Sequence, residues 1–382
     1  MLVLFLTSSP LHKMHLNDMY IREISEVFDT QIWDISHLYG RGKENSEFSD
    51  VPCIASLQEL EGKLDNINGQ IVVITNVLIY DLHKIHKIFK CRRIPLVSID
   101  KESIIFWMKD NYLKEHLQYA TEDERKKFFW KANVITRKIY SYLEYRHVKF
   151  DYLLGAKNYF PDATKHFVHI HNLKYDEYLR SKEEERVVEY KYILFMDAGL
   201  AHLPAVSGRT NSIDKAEYLE KMNHLFERLE AKYHIPVIIA AHPKSGYPED
   251  AFEGRKIILY KTPALLKYAE FVLAHYSTSL IDLVLQKKPV IFLYSESYMN
   301  SPSKTILITT AEYAKLLNAP LIDIQGEEDI ELAFDENAYE RFIKDHIYND
   351  LYGDKKNSEL IVDFLNKLQQ KNSIINHVER RQ

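Results

Sequence analysis

The chain has 382 residues, of which 46% are apolar and 27% charged, and its formal net charge is −5. At about 150 residues per domain this length predicts two packed domains, and the composition excludes a disordered, collagen-like or coiled-coil protein. The negative charge gives no general attraction to nucleic acid, so no nucleic-acid partner is expected. With 11 glycines and 12 prolines the chain contains neither GxGxxG nor GxxxxGK[ST], the two commonest nucleotide-binding motifs.

The ends of the chain and its two cysteines bear on the cellular setting. Cys53 and Cys91 form no CxxC pair, which argues against a disulfide scaffold or a thiolate zinc site and predicts a reducing, cytoplasmic setting. The opening MLVLFL is too short for the core of a signal peptide and is interpreted as a buried strand. No apolar run approaches the roughly 20 residues of a membrane-spanning helix.

The first half alternates short β-branched runs with helical periodicity, a pattern typical of a parallel sheet covered by helices. The predicted strands are Leu2–Leu6, Gln31–Ile35, Ile71–Ile74, Ile94–Ile99, Tyr152–Leu154 and His166–Ile170. The predicted helices are Leu16–Phe28, Leu82–Phe89, Lys101–Leu117 and a long stretch from Glu122 to about Tyr145.

A dense charge run at Ser181–Glu189 is typical of a solvated connection and predicts the domain boundary. The expected division is therefore an N-terminal domain of 1–183, a C-terminal domain of 184–350, and a C-terminal helix with a basic tail at 351–382. Predicted strands of the second series are Tyr192–Met196, Pro236–Ala241, Lys256–Leu259, Phe271–Ala274 and Pro289–Leu293. Predicted helices are Lys215–Tyr233, a short one after Pro263, Leu280–Gln286, Glu336–Tyr348 and Ser358–Gln369. The fold class is thus α/β, with two Rossmann-like doubly wound domains and a ligand expected in a central cleft between them.

Three loops that directly follow strands of the second series carry polar residues. Asp197 ends the first strand, where it could act as a general base or hydrogen-bond its own loop. His242, Pro243 and Lys244 follow the second, where a His and a Lys could hold a phosphate or cap the loop. The third loop contains Ser277, Thr278 and Ser279, hydroxyls that can cap a helix and bind an anion at once.

The segments AHPKSG and AHYSTSLIDLVLQKKPVIF resemble the His-Pro and Ser/Thr motifs of bacterial GT-B glycosyltransferases that use CMP-activated sugars, such as sialyltransferases and nonulosonate or Kdo transferases. In those families the His-Pro motif contacts the CMP phosphate and ribose region, the Ser/Thr motif holds the phosphate, and an Asp acts as base. The resemblance implies donor binding by His242, Pro243, Lys244 and Ser277–Ser279, with Asp197 and His242 as catalytic residues. The chain has Ala198 and Gly199 after Asp197, whereas the familiar form has two adjacent acidic residues before the glycine.

The resemblance implies an inverting or retaining transferase that moves an acidic 2-keto sugar from CMP to a glycan or glycolipid of the bacterial surface. A CMP-sugar has a single phosphate, so cations and hydroxyls can stabilise the leaving group. No DxD sequence occurs, and we expect neither a metal nor a further cofactor.

Other polar residues are assigned by position. Ser8, Ser9 and His12 follow the first strand and are expected to bind the acceptor, together with His202. His169 and His171 flank an apolar residue, and with no carboxylates or cysteines nearby a structural role is favoured over a metal pair. The end of the chain is basic, with Lys367, Lys371, Arg380 and Arg381, and is either a solvated helix end or a contact to the anionic inner face of the cell membrane.

Two other functions fit the same residues. A CDP-glycerol-type polyol phosphotransferase would have a similar cytidine site, but such enzymes usually place a basic residue before the His-Pro, where this chain has Ala241. A non-catalytic protein that binds a nucleotide or glycan would keep the cleft without turnover.

Overall fold

The computed structural model describes residues 1–40, 48, 50–77, 81–100, 148–159, 161–200, 213–242, 245–295, 298 and 304–379. It divides the chain into two units, and each contains one parallel sheet of six strands. The described residues of 1–100, 148–173 and 348–379 belong to the first unit, and those of 174–347 to the second. The predicted class, two doubly wound α/β domains, is confirmed by these sheets.

The first unit has a sheet in the order β2-β1-β3-β4-β5-β6. Its strands are β1 (Leu2–Thr7), β2 (Asp29–Asp34), β3 (Ile71–Thr75), β4 (Leu96–Ile99), β5 (Phe150–Gly155) and β6 (Thr164–His169). Its helices are α1 (Lys13–Asp18), α2 (Ile21–Ser25), α3 (Leu57–Asp65), α4 (His83–Cys91) and the last helix of the chain, Asn357–Glu379. The sequence predicted each of these strands to within two residues at either end.

The sheet of the first unit is covered on both faces, as expected for parallel strands. Successive residues of a strand point to opposite faces, so Val3 and Phe5 join one core cluster while Leu4 and Leu6 join another. The last helix of the chain closes the first of these clusters through Ile361 and its apolar neighbours.

The second unit has a sheet in the order β12-β11-β10-β7-β8-β9. Its strands are β7 (Ile193–Met196), β8 (Val237–Ala241), β9 (Ile257–Leu259), β10 (Phe271–Ala274), β11 (Val290–Tyr294) and β12 (Leu321–Asp323). Its helices are α5 (Lys174–Ser181), α6 (Lys215–Tyr233), α7 (Thr262–Tyr268), α8 (Leu280–Leu285), α9 (Lys304–Leu317) and α10 (Glu336–His346). The last helix of the first unit is then α11.

The observed units differ from the predicted division in two places. The second unit begins at Lys174 rather than at residue 184, because α5 packs against α8 and α7 of that unit. The C-terminal segment is part of the first unit rather than a separate tail, because Leu360, Ile361, Leu365 and Leu368 lie in its core. A charge run marks a solvated segment, but long-range packing decides to which unit it belongs.

Several elements differ from the sequence-based prediction. The helix expected over Leu16–Phe28 is two short helices, because Tyr20 between them has a left-handed backbone with φ of 53°. Helices α3 and α9 and strand β12 were not predicted, although the Ser56 hydroxyl caps α3 by accepting from the Glu59 N–H. The helices expected at 101–117 and 122–145 lie outside the described residues.

Candidate functional site

The polar loops of the second unit meet where its strand order reverses. Strand β7 lies between β8 and β10, which is the order of a Rossmann sheet, with the reversal between β7 and β10. All three strands are parallel, with Met196 level with Ala240 of β8 and Ala274 of β10. The loops that begin at Asp197, His242 and His275 therefore leave the same edge of the sheet side by side, at the position where open α/β sheets bind their ligands.

Asp197 joins two of these loops. Its side chain is buried, with 5% of its surface exposed. Its Oδ1 accepts from the backbone N–H of Gly199 at 2.8 Å, and its Oδ2 accepts from the backbone N–H of His242 at 3.1 Å and from the Ser245 hydroxyl at 3.0 Å. A short turn, in which the Ser245 N–H donates to the His242 carbonyl at 2.8 Å, completes the arrangement.

These contacts bear on the base predicted at Asp197. Its two oxygens already accept three hydrogen bonds from the protein, so most of its lone pairs are engaged in holding the loops. In this arrangement Asp197 positions the His242 loop, which is the loop-bonding alternative that the sequence left open.

A buried aromatic network surrounds Asp197. Tyr247 lies close to the carboxylate, and burial raises the pKa of its hydroxyl far above its ordinary value, with the Asp197 charge acting in the same direction. Burial also raises the pKa of Tyr218, on α6, and the charge of Asp197 again adds to the effect. Both tyrosines are therefore neutral hydrogen-bonding groups at any physiological pH.

His275, the first residue after β10, belongs to the same network. It is 1% exposed, its Nδ1 lies 2.8 Å from the Leu293 carbonyl oxygen, and its Nε2 lies 3.2 Å from the Tyr218 hydroxyl. Since a carbonyl oxygen only accepts, Nδ1 carries the proton and Nε2 accepts from Tyr218. Burial lowers the pKa of His275 to about 4. The imidazole is thus a neutral bridge between α6 and β11.

The hydroxyls expected to hold phosphate follow at once. Ser277 and Ser279 are half-buried and Thr278 is exposed. The Ser277 hydroxyl accepts from the Ser279 N–H at 3.4 Å, whereas the side chain of Ser279, at the N-cap, makes no capping bond. The preceding Tyr276 N–H donates to the Thr310 hydroxyl at 2.7 Å, which fixes this loop to α9.

A second buried acid lies just beyond these hydroxyls. Asp282, on α8, is 1% exposed, and burial raises its pKa to about 7. On α5, the positive Lys174 lowers this pKa and the negative Glu177 raises it. Asp282 is therefore largely protonated just below neutral pH.

The loop after β1 in the first unit is also a joined structure. The Ser8 N–H donates to Asn76 Oδ1 at 2.8 Å, which connects this loop to the one after β3. His15 Nδ1 accepts from the His12 N–H at 3.1 Å, and its Nε2 lies 3.3 Å from the Ser9 hydroxyl. His15 thus brings Ser9 and His12 together, whereas Ser8 is buried and bonded to the neighbouring loop.

Not every residue assigned from sequence can be placed. Pro243, Lys244 and His202 lie outside the described residues. Sequence reasoning also missed Ser245, Tyr247, Tyr218, His275 and Thr310. Ser245 and Tyr247 could have been noticed as polar residues just past the His-Pro pair, but Tyr218 and Thr310 stand in helices, where nothing in the local pattern distinguishes them from ordinary core residues.

His169 and His171 do not form a pair. His169 ends β6 with its side chain exposed, whereas His171 is buried. The ring of His171 stacks on Tyr348, with 4.9 Å between the ring centres, and its Nδ1 accepts from the Asn349 N–H at 3.0 Å. The backbone N–H of His171 donates to Asn357 Oδ1. His171 therefore attaches the C-terminal segment to the first sheet.

Among the described residues, no group of three or more His, Cys, Asp or Glu side chains could hold a metal ion. No helix in the described part of the chain is both long and apolar enough to cross a membrane. Both cysteines are free thiols.

No model of a protein family and no curated protein sequence matches the chain. Among solved structures it is similar to the UDP-GlcNAc 2-epimerase from Methanocaldococcus jannaschii, with 12% identity, coverage of 96% of this chain and 99% of that chain, and a TM-score of 0.48. The spinosyn forosaminyltransferase SpnP has 12% identity over 100% of this chain and 98% of that chain, with a TM-score of 0.41. A UDP-glucosyltransferase from Polygonum tinctorium has 12% identity over 97% and 98%, with a TM-score of 0.45. At such identities the likeness is one of chain fold.

Proposed function

We propose that the protein is a GT-B-type glycosyltransferase that moves an acidic 2-keto sugar, such as sialic acid, another nonulosonate or Kdo, from its CMP donor to a bacterial surface glycan, in capsule or lipopolysaccharide. The observation that carries this proposal is the joining of the His242 loop to Asp197 beside the Ser277–Ser279 loop, at the strand reversal of a Rossmann sheet. The resemblance of the same two loops to the His-Pro and Ser/Thr motifs supports CMP as the nucleotide.

In this proposal the phosphate of CMP lies against His242, Pro243 and Lys244 on one side and Ser277–Ser279 on the other. One phosphate needs less compensating charge than a diphosphate, so an imidazole, an ammonium group and several hydroxyls suffice to stabilise the departing nucleotide. Helix α8 has only six residues, so the hydroxyls rather than a helix dipole supply the donors. The acceptor is assigned to the loop of Ser8, Ser9 and His12, with His202.

The direct test is a calorimetric titration of the full chain with CMP. We expect His242→Ala to bind CMP at least about tenfold more weakly, because a hydrogen bond to a charged phosphate contributes about 1.5–3 kcal/mol. His234→Ala is the matched control, since His234 is an exposed histidine at the end of α6 in the same unit. Equal CMP affinity in the wild type and His242→Ala would remove the site assignment, and tighter binding of UDP than of CMP would remove the cytidine donor.

Turnover distinguishes the three functions that the sequence left open. A transferase or its slow donor hydrolysis releases CMP from CMP-Kdo or CMP-sialate and leaves a glycosidic bond in the product. A CDP-glycerol-type phosphotransferase leaves a phosphodiester, which differs in product mass. A protein that binds CMP and releases nothing from any of these donors is a binding protein.

The role of Asp197 is tested by comparing Asp197→Asn with Ser245→Ala. If Asp197 positions the His242 loop, both variants raise the KM for the donor and leave the pH profile of kcat unchanged. If Asp197 is the base, Ser245→Ala keeps its activity while Asp197→Asn loses kcat and the acidic limb of the profile. The arrangement of three accepted hydrogen bonds supports the first result.

A further inference from the structure

A cavity lies in the first unit, at the edge of its sheet opposite to the loops that carry Ser8 and Asn76. Its volume is about 270 Å³, and it is lined by residues at the beginnings of β4, β5 and β6, by the second half of α4 and by the middle of α11. In a parallel sheet the beginnings of the strands lie together at one edge, away from the ends that carry Ser8 and Asn76. This cavity is therefore separate from the proposed acceptor loop.

The lining of this cavity is strongly cationic. Lys90, Arg93, Lys165 and Lys371 contribute positive groups from three different parts of the chain, and His86 and His166 add two imidazoles. Asp151 is the one acid among the lining residues. Its Oδ1 pairs with the Lys165 ammonium at 2.7 Å, and its Oδ2 accepts from the Leu96 N–H at 2.9 Å. The charge of Asp151 is thus already compensated by Lys165, and the lining as a whole carries a net positive charge.

Two of these cations have no carboxylate partner within the part of the chain that the structure describes. Lys90 and Lys371 are both exposed and take part in none of its ion pairs, whereas many surface lysines of this protein do, such as Lys232 with Asp329 at 2.6 Å. The excess positive charge also acts on His86. Burial lowers the pKa of His86, and the charges of Lys90 and Lys165 lower it further.

We infer that this cavity binds a phosphate-bearing anion, held by Lys90, Arg93 and Lys371 with Lys165 at its side. Phosphate oxygens accept several charge-assisted hydrogen bonds at once, and a group of convergent ammonium and guanidinium groups supplies them. The volume corresponds to about nine water molecules, which is more than a single phosphate fills and suits a diphosphate or a phosphorylated headgroup. The basic residue Lys371, which the sequence indicated as a solvated end or a membrane contact, becomes part of a defined site.

The experiment uses the full chain with Lys90 and Lys371 both changed to glutamine. The matched control carries Lys87→Gln and Lys367→Gln, which remove the same charge from exposed positions of the same two helices outside the cavity. Sodium pyrophosphate is titrated calorimetrically at fixed ionic strength. Vesicles of phosphatidylglycerol and phosphatidylcholine, at a molar ratio of about 3:7, are used in flotation, since each nearby basic residue contributes about 1 kcal/mol to attraction by such a surface.

If pyrophosphate binds to the wild type and the control, and the Lys90/Lys371 variant binds it at least about tenfold more weakly, the site takes a free phosphate ligand. If only the vesicles bind, and only the Lys90/Lys371 variant loses flotation, the site takes a lipid headgroup. Binding of neither probe, or equal loss in both charge variants, overturns the proposal. Urea unfolding of each variant, compared with the wild type, shows independently that the first unit remains folded.

Discussion

Each sheet reverses its strand order once, and the two units fasten the loops beside that reversal in different ways. In the first unit the loop after β1 is joined to the loop after β3 by neutral bonds, from the Ser8 N–H to the Asn76 side-chain oxygen at 2.8 Å and from the Ser8 hydroxyl to the Asn76 carbonyl at 3.4 Å. In the second unit a buried carboxylate, Asp197, accepts three bonds from its own loop and the loop after β8. Hydrogen bonds to a charged group are roughly twice as strong as neutral ones.

The difference indicates which loop must keep its shape. A site that stabilises a departing phosphate works best when its groups are already in place, because reorganisation during the reaction costs activation free energy. In the second unit the Asp197 bonds fix the loops on one side of the strand reversal, and the neutral His275 fixes the loop on the other side. The first unit connects its loops through neutral, weaker hydrogen bonds, which suits the acceptor-binding role proposed for the Ser8 loop.

The largest effect is expected from Asp197→Ala. This change leaves the Gly199 N–H, the His242 N–H and the Ser245 hydroxyl without their acceptor, and we expect the free energy of unfolding to fall by about 3–5 kcal/mol. Urea denaturation of the full chain measures it. Asp214→Ala is the control, because Asp214 is an exposed N-cap that accepts a single bond from Glu217 and should cost about 1 kcal/mol. If Asp197→Ala lowers the free energy of unfolding no more than the control does, Asp197 does not hold these two loops together.

The second prediction concerns pH and uses His275 and Asp282, the two buried ionisable groups that flank the Ser277–Ser279 loop. His275 has its pKa lowered to about 4 in the folded state, so the unfolded chain binds more protons between pH 4 and 6.5 and stability falls as the pH falls. Asp282 has its pKa raised to about 7, so the folded state binds more protons between about pH 4 and 7 and stability falls as the pH rises. The contribution of His275 amounts to about 3 kcal/mol and that of Asp282 to about 4 kcal/mol, and over their common range the two oppose each other.

Single variants separate these contributions. His275→Asn keeps a donor for the Leu293 carbonyl and should make stability decline more steeply as the pH rises from 4 to 6.5. Asp282→Asn should give the opposite change, and His234→Asn, an exposed position, should leave the profile as it is in the wild type. Urea unfolding at about half-unit pH steps measures all three. Identical slopes in the wild type and both buried variants would mean that neither group titrates abnormally.

The smallest effect is expected in the first unit. Asn76→Ala removes the acceptor of the Ser8 N–H, and Ser8 is buried, so we expect a loss of about 1–2 kcal/mol in the free energy of unfolding. Asn66→Ala, at the exposed end of α3, should cost about 0.5 kcal/mol or less. If Asn76→Ala costs as much as Asp197→Ala, the two reversal points are held equally firmly and the contrast between the units fails.

Most strands could be predicted because a parallel strand buried on both faces appears in the sequence as a short apolar run. Strand β12 could not, because its three residues, Leu321–Asp323, include an acid, whereas the three residues of the other edge strand, β9, are all apolar. The helix expected over Leu16–Phe28 has helical periodicity, but the left-handed backbone of Tyr20 interrupts it. The spacing of apolar residues gives no information about the φ angle of a single residue.

The positions of the site residues followed from the sequence, whereas their roles did not. Asp197, His242 and Ser277 stand at strand ends, and the order of runs along the chain suffices to place such residues at one edge of a sheet. That Asp197 is buried beneath three donors depends on the turn made by His242 and Ser245, which only the folded chain contains.

The sequence by itself determined two α/β series, the strand ends that carry polar residues, and a basic C-terminal end. The tertiary structure decided that α5 belongs to the second unit and α11 to the first, and that Lys371 lies in a cationic cavity with Lys90 and Arg93. The physical reason is the range of the interactions. Periodicity and strand ends reflect neighbours within a few residues, whereas burial, pKa shifts and charge clusters arise from residues far apart in the chain.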